Sequence, residues 1–289
     1  MSSFNKTKNI IVTGATGFIG QHLIPQLLNN NSHVIAVSRD ETKASNFEWY
    51  NDVEYYSLDI SKGIDDIKVR DGYGLIHLAW DDLRDYKSSR HIDVNLPSSF
   101  NFIESLIKKG LDQVLVTGTC FEYGKQSGLI KSTVECQPVN SYAIAKNELH
   151  KSLRQLKKDK NFRLQWARLF YMHGKGQSSH SILSQLDTAI DKNYESFNMS
   201  SGEQIRDYLP IEKVVQQLCY LYFSRNEGIF NICSGMPISI KALVESHISK
   251  RGSNIKLNLG YYPHRDYEPM EYWGEKDIDN ENHQMKTKS

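Results

Sequence analysis

Tyr142 and Lys146 stand four positions apart in the run Asn140-Ser141-Tyr142-Ala143-Ile144-Ala145-Lys146. The run opens as a helix with Asn140-Ser141 as its cap, so the two side chains share one face and can reach each other. A phenol with a pKa of about 10 is a poor base at neutral pH. A fixed ammonium beside it stabilises the phenolate and brings Tyr142 into range as a general acid or base. Thr119 ends an apolar run, residues 113–119, and can present a hydroxyl to the same oxygen atom. Together these groups suit a carbonyl that becomes an alkoxide, or the reverse. Tyr-x-x-x-Lys alone also describes a weakly stabilising pair on a solvated helix, so the rest of the chain must decide.

Such a reaction needs an electron carrier, and the N-terminal stretch offers a place for one. In Asn9-Ile10-Ile11-Val12-Thr13-Gly14-Ala15-Thr16-Gly17-Phe18-Ile19-Gly20 a short β-branched run stops at glycine. A helical pattern then begins at Phe18 and Ile19 and continues through Leu23, Ile24, Leu27 and Leu28. Strand, tight turn and helix start make an anion site, because free N–H groups and the helix macrodipole face the same point. Gly14 permits the turn, Gly17 permits close approach of a phosphate, and Gly20 permits helix–strand packing. The expected ligand is a dinucleotide pyrophosphate.

The next apolar run, residues 33–37, ends in Ser38-Arg39. An acidic residue there would select NAD, whereas a nearby guanidinium accommodates the 2′-phosphate of NADP. The expected cofactor is therefore NADP rather than NAD. Residues 53–60 read as a third strand with Asp59 and Ile60 at its end. Residues 74–80 read as a fourth, ending in Leu78-Ala79-Trp80 and apolar on successive positions, as a parallel strand buried on both faces would be. A helix over 93–109 and a fifth strand over 113–119 follow. Strands alternating with helices predict an α/β protein with a doubly wound parallel sheet. Ligands of such sheets bind at the strand C-terminal ends, so Gly14, Ser38, Asp59, Ala79 and Thr119 should share one rim.

Composition narrows the alternatives. The chain has 289 residues, enough for one α/β domain and a smaller one, and a formal net charge of +1 that gives no support for a nucleic-acid or membrane partner. No apolar run approaches a membrane span, and the first residues lack the apolar segment of a signal peptide. Cys120, Cys136, Cys219 and Cys233 show no metal-ligand spacing. A cytoplasmic protein with reduced thiols and no metal is expected.

Gly14-x-x-Gly17-x-x-Gly20, Thr119 before Phe121-Glu122-Tyr123-Gly124, and Tyr142-x-x-x-Lys146 together resemble the extended short-chain dehydrogenase/reductase family of NAD(P)-dependent nucleotide-sugar epimerases, dehydratases and reductases. The resemblance implies a Rossmann domain (residues 1–167 and 206–234), a small interrupted substrate domain (168–205 and 235–278) and a mobile tail (279–289). It implies Thr119, Tyr142 and Lys146 as the catalytic set. It implies Gly14, Gly17, Phe18, Ile19, Gly20, Ser38, Arg39, Asp59, Ile60, Leu78, Ala79, Trp80 and Lys146 as cofactor contacts, with Asn95 near the site. The substrate contacts it implies are Thr119, Phe121, Glu122, His180, Arg206 and Arg265. It also implies a homodimer.

Departures from the family pattern select among its members. The 4,6-dehydratases carry Asp-Glu after the catalytic Thr; here Cys120-Phe121 stand there, and dehydration lacks its proton donors. Epimerase/reductases with a catalytic His resemble the chain at Ser179-His180-Ser181 but place their Cys where this chain has Phe121. His180 is then a hydrogen-bonding loop residue. The segment 202–208 ends in Arg206-Asp207-Tyr208, an arrangement that suits a diphosphate, and residues 262–269 resemble the substrate loop of nucleotide-linked 4-keto-6-deoxyhexose reductases. The expectation is NADPH-dependent reduction of a C4 ketone on such a sugar, most plausibly dTDP-linked, for surface polysaccharide. Its rivals are an NAD-dependent 4-epimerase and a non-catalytic NADP-sensing or scaffold protein.

Overall fold

A computed structural model describes residues 8–62, 67–70, 72–263 and 269–278. The strands are β1 (Asn9–Thr13), β2 (His33–Ser38), β3 (Glu54–Ser57), β4 (Tyr73–His77), β5 (Gln113–Thr119), β6 (Gly128–Ile130) and β7 (Arg163–Leu169). They continue with β8 (Tyr171–His173), β9 (Ser196–Asn198), β10 (Ile205–Pro210), β11 (Gly228–Ile232), β12 (Pro237–Ser239), β13 (Lys256–Asn258) and β14 (Glu271–Gly274). The α-helices are α1 (Gly20–Asn29), α2 (Glu41–Ala44), α3 (Leu96–Lys108), α4 (Ser141–Asp159), α5 (Ile182–Asp191), α6 (Ile211–Ser224) and α7 (Ile240–Lys250).

Seven strands form one parallel sheet in the order β11-β7-β5-β4-β1-β2-β3. The strand order reverses at β1, which pairs β2 on one side and β4 on the other. A crevice opens at such a point. β5 is buried along its whole length, with Val114, Leu115 and Val116 in the core and Gln113, Thr117 and Thr119 buried as polar residues. Helices α1 and α6 close one face through Leu23, Ile24, Leu27, Val214 and Leu218. Helices α3 and α4 close the other through Phe102, Leu106, Leu149 and Leu153. The doubly wound sheet is as the pattern predicts.

The differences have local causes. The third strand ends at Ser57, and Asp59 leaves it to accept hydrogen bonds from the Ser61 amide and hydroxyl, opening the 3₁₀ turn Ile60–Lys62. The fourth ends at His77, leaving Leu78 to Trp80 as a loop over the crevice. A π-helical turn, His91–Asn95, precedes α3, which starts with Pro97 in its first turn. A second sheet runs β12-β10-β14-β6 with β8 on β10, and β13 pairs β9. Strand β6 lies within 1–167 and β10 crosses the 205/206 boundary, and both pair β14 in this second sheet. The chain returns to the central layer only at α6. Helices α5 and α7 pack with Phe197 and Met199 in a separate small core. Arg265 and the tail 279–289 lie outside the described residues.

Candidate active site

A cleft of about 1230 Å³ runs from the glycine turn to the second sheet. Its near wall is the β1–α1 turn. Gly14 has φ +71°, and a Cβ there would lie 2.9 Å from the Ala79 amide nitrogen, so the turn and the 78–80 loop close on each other only with glycine present. A Cβ at Gly20 would meet the Gly14 and Ala15 carbonyls, which fixes how closely α1 approaches the strand. Gly14, Gly17, Phe18, Ile19 and Gly20 all line the cleft, and the first turn of α1 carries no acid. That cradle, with its helix N-terminus, fits a pyrophosphate.

Ser38, Arg39, Asp59, Ile60, Leu78, Ala79 and Trp80 line the same cleft. The Ser38 hydroxyl shares a 2.8 Å hydrogen bond with Tyr55 Oη. Arg39 is already engaged: Nη1 donates to Asp81 Oδ2 at 3.0 Å, and Arg90 approaches the same carboxylate at 3.8 Å. Asp59, whose pKa is lowered mainly by its Ser61 hydrogen bond, adds a second acid near Arg39. The guanidinium expected to meet a 2′-phosphate thus sits between carboxylates. Sequence reasoning missed Asp81 and Arg90, which meet Arg39 only in the fold.

At the end of β5 the Thr119 side chain lies beside the Tyr142 phenol and accepts the Phe121 amide at 3.3 Å. Tyr142 enters the cleft from the first turn of α4, which Asn140 caps by accepting the Ala143 amide at 2.9 Å. The phenol's pKa is raised, not lowered: burial dominates, with Tyr86 and Glu122 adding to it, and the Thr119 side chain opposes. This corrects the expectation that Lys146 brings it down. Lys146 is 2% exposed, donates from Nζ to the Thr117 carbonyl at 2.8 Å and stands 4.0 Å from the Trp80 ring centroid. Its own pKa falls to about 7 through burial, with the charge of Glu122 opposing. The shared helix face is real, but the ammonium is directed under the strand end and is not part of the cleft wall.

Glu122 is a second correction. It is fully buried beneath Thr119, where it accepts the Thr119 amide at 2.8 Å, the Trp166 indole at 3.0 Å and Arg168 Nε at 2.8 Å. It anchors Thr119 and does not line the cleft. Phe121, His180 and Arg206 do line the cleft. His180 is exposed, with its carbonyl taking the Gln185 amide at 2.7 Å. Arg206 is 2% exposed, donates to the Ile205 and Met270 carbonyls and lies 5.7 Å from the Tyr171 ring centroid. Asp207 accepts the Ser234 and Gly235 amides. Cys120 is buried, which pushes its thiol pKa up and removes it as an acid.

The π-helical turn supplies residues that periodicity alone could not show. Trp80 Nε1 donates to His91 Nδ1 at 3.0 Å, so the other ring nitrogen carries hydrogen toward the Asp85 carbonyl. Asn95 donates to the Asp81 carbonyl at 2.9 Å. His91, Asn95 and Trp80 therefore set the wall that Tyr142 and Lys146 pack against. Among the described residues no group of three or more His, Cys, Asp or Glu could hold a metal, and no helix is long and apolar enough to cross a membrane.

The chain is 32% identical to dTDP-6-deoxy-L-talose 4-dehydrogenase (NAD(+)) of Aggregatibacter actinomycetemcomitans, over 93% of this chain and all of that one. It is 26% identical to dTDP-4-dehydro-6-deoxyglucose reductase of Escherichia coli, over 83% and 81% of the two chains. UDP-N-acetylglucosamine 4-epimerase from Methanobrevibacter ruminantium M1, solved with UDP-N-acetylmuramic acid, superposes with a TM-score of 0.84 at 20% identity, covering 97% and 96%. Residues 10–233 match the family described as NAD dependent epimerase/dehydratase. This nucleotide-sugar-modifying oxidoreductase belongs to the NAD dependent epimerase/dehydratase family, the extended branch of the short-chain dehydrogenases and reductases.

Proposed function

We propose that the protein reduces the C4 ketone of a dTDP-linked 4-keto-6-deoxyhexose with NADPH, in making a deoxysugar for surface polysaccharide. The observation that carries this is that Thr119 and Tyr142 stand together on the wall of a cleft continuous with the glycine turn. The activities of the two dTDP-sugar relatives support the substrate class. When bound, the cofactor supplies a hydride to the ketone carbon. Thr119 Oγ1 hydrogen-bonds the ketone oxygen, and Tyr142 Oη gives up its proton there as negative charge grows. A raised pKa suits that role, because the phenol keeps its proton until the stronger base forms. Lys146 is assigned the cofactor ribose, a contact that requires Nζ to leave the Thr117 carbonyl. Arg206 is assigned the diphosphate of the substrate. The end of β9 and the loop before α5, with Asn198 and Ser178 on the cleft wall, are assigned the sugar hydroxyls.

A second reading keeps the chemistry and exchanges NADPH for NADH. The Arg39–Asp81 pair favours it, since Asp81 occupies the guanidinium that a 2′-phosphate would use. The test follows nicotinamide absorbance with dTDP-4-keto-6-deoxyglucose and either reduced cofactor. Rapid oxidation is expected. Tyr142→Phe should lose about 10²- to 10⁴-fold in kcat while binding cofactor as the wild type does. A Tyr142→Phe variant that turns over at the wild-type rate would end the assignment.

A further inference from the structure

We propose that Phe121 selects a methyl over a hydroxymethyl group on the carbon next to the reacting one; the inference rests on the reaction proposed above. Aromatic rings follow one another along the cleft without a break. Trp80 meets Tyr142 at 6.1 Å between centroids, Tyr142 stacks on Tyr86 at 5.2 Å, Tyr86 meets Phe121 at 5.3 Å, Phe121 meets Tyr171 at 6.1 Å and Tyr171 meets Tyr208 at 5.4 Å. Lys146 stands buried against Trp80 at one end, and Arg206 stands buried against Tyr171, one ring short of the other. The row therefore spans from the catalytic group to the residue assigned to the diphosphate, the interval a hexose must occupy.

Five of the six rings carry a polar atom; Phe121 carries none. It is also the ring tied to Thr119, through its amide on Thr119 Oγ1 at 3.3 Å. A hexose with C4 at Thr119 and Tyr142 has C3 with a hydroxyl on one side and C5 with C6 on the other. A hydroxyl buried against Phe121 loses its water partner and gains none from the ring. A methyl gains contact with Phe121 at no such cost. Tyr86 and Tyr171 brace the ring from two sides, the latter edge-on at 90°. An apolar wall rejects an added hydroxyl only moderately, so the expected preference is about 10²-fold.

The experiment measures kcat/KM for oxidation of stable alcohols that differ only at C6. The pairs are dTDP-6-deoxyglucose with dTDP-glucose, and dTDP-fucose with dTDP-galactose, each with NAD and NADP. The wild type should favour the 6-deoxy member of the pair it oxidises by about 10²-fold, and Phe121→Asn should bring that ratio to within about threefold of unity. Phe121→Leu, which keeps the site apolar, should hold the ratio and guards against a variant that merely fails to fold. Equal kcat/KM for both members in the wild type overturns the selection, as does Phe121→Asn retaining the full ratio. No oxidation of any of the four sugars by protein shown to bind cofactor would remove the reaction itself and this inference with it.

Discussion

Two ion pairs of nearly equal length serve the two ends of the cleft. At the rim, Arg39 Nη1 reaches Asp81 Oδ2 at 3.0 Å with the two side chains 62% and 43% exposed. Beneath Thr119, Arg168 Nε reaches Glu122 Oε2 at 2.8 Å with the side chains 2% and 0% exposed. Distance alone would call these the same interaction. Burial separates them. The rim pair is solvated and screened, worth about 0–1 kcal/mol, and free to trade partners. The deep pair has paid desolvation on both charges, so its net worth is small, yet loss of either partner strands the other charge. The Thr119 amide and Trp166 indole also converge on Glu122. One pair is therefore suited to choosing a ligand and the other to holding a catalytic hydroxyl still.

The largest expected effect breaks the deep pair. Glu122→Ala leaves Arg168 buried and unbalanced and should cost about 3–5 kcal/mol of unfolding free energy, read as a lower urea midpoint. Arg39→Ala, measured in the same way, should cost less than about 1 kcal/mol. A Glu122→Ala midpoint as mild as that of Arg39→Ala would erase the distinction.

Lys146 sharpens the comparison, because it is as buried as Arg168 but has a carbonyl and a ring face in place of a carboxylate. Arg168 stays charged; Lys146 falls to about 7. The unfolded lysine keeps its proton to about pH 10.4. Between pH 7 and that value the unfolded chain binds the extra proton, so this group makes stability rise with pH; below pH 7 it contributes no slope. Relative to Lys146→Met, the wild type should gain stability as pH climbs from 7 to about 10. Urea midpoints at several pH values check this, and a constant difference between the two proteins across that window would contradict it. Glu122 raises the Lys146 pKa, so Glu122→Gln, if folded, should start the rise at lower pH.

The two ends also differ in how far the sequence discloses them. The glycine turn and β5 were legible because their signals are local: a β-branched run, a glycine, a helical period. Residues 113–119 read as a strand and are one. Asp59 misled because its own carboxylate caps a turn and draws it out of the strand. Glu122 looked like a substrate contact because it follows Thr119 closely, and nothing in sequence tells that its partner lies in β7. Arg39 pairs with a residue 42 positions away, and the row of rings draws on loops, a helix and two strands. The second sheet was hidden for another reason. Its strands β6, β8 and β12 have three residues each, too few to show alternation.

The smallest effect on stability carries the cofactor question. A 2′-phosphate beside Arg39 would compete with Asp81 for one guanidinium, and Arg90 at 3.8 Å offers Asp81 a second partner if Arg39 leaves. Charge-assisted hydrogen bonds contribute about 1.5–3 kcal/mol, so Arg39→Ala should weaken NADPH by about 10- to 100-fold and leave NADH nearly unchanged. Asp81→Asn removes the competitor and should act in the opposite sense, tightening NADPH while stability moves by less than about 1 kcal/mol. Both shifts should shrink as salt is raised, because the rim is open to counterions. Titration of nicotinamide fluorescence with each cofactor at low and high salt reads all of this. If Arg39→Ala weakens the two cofactors equally, Arg39 does not meet the 2′ position, and the rim pair is a structural clasp like the one beneath Thr119, only wetter.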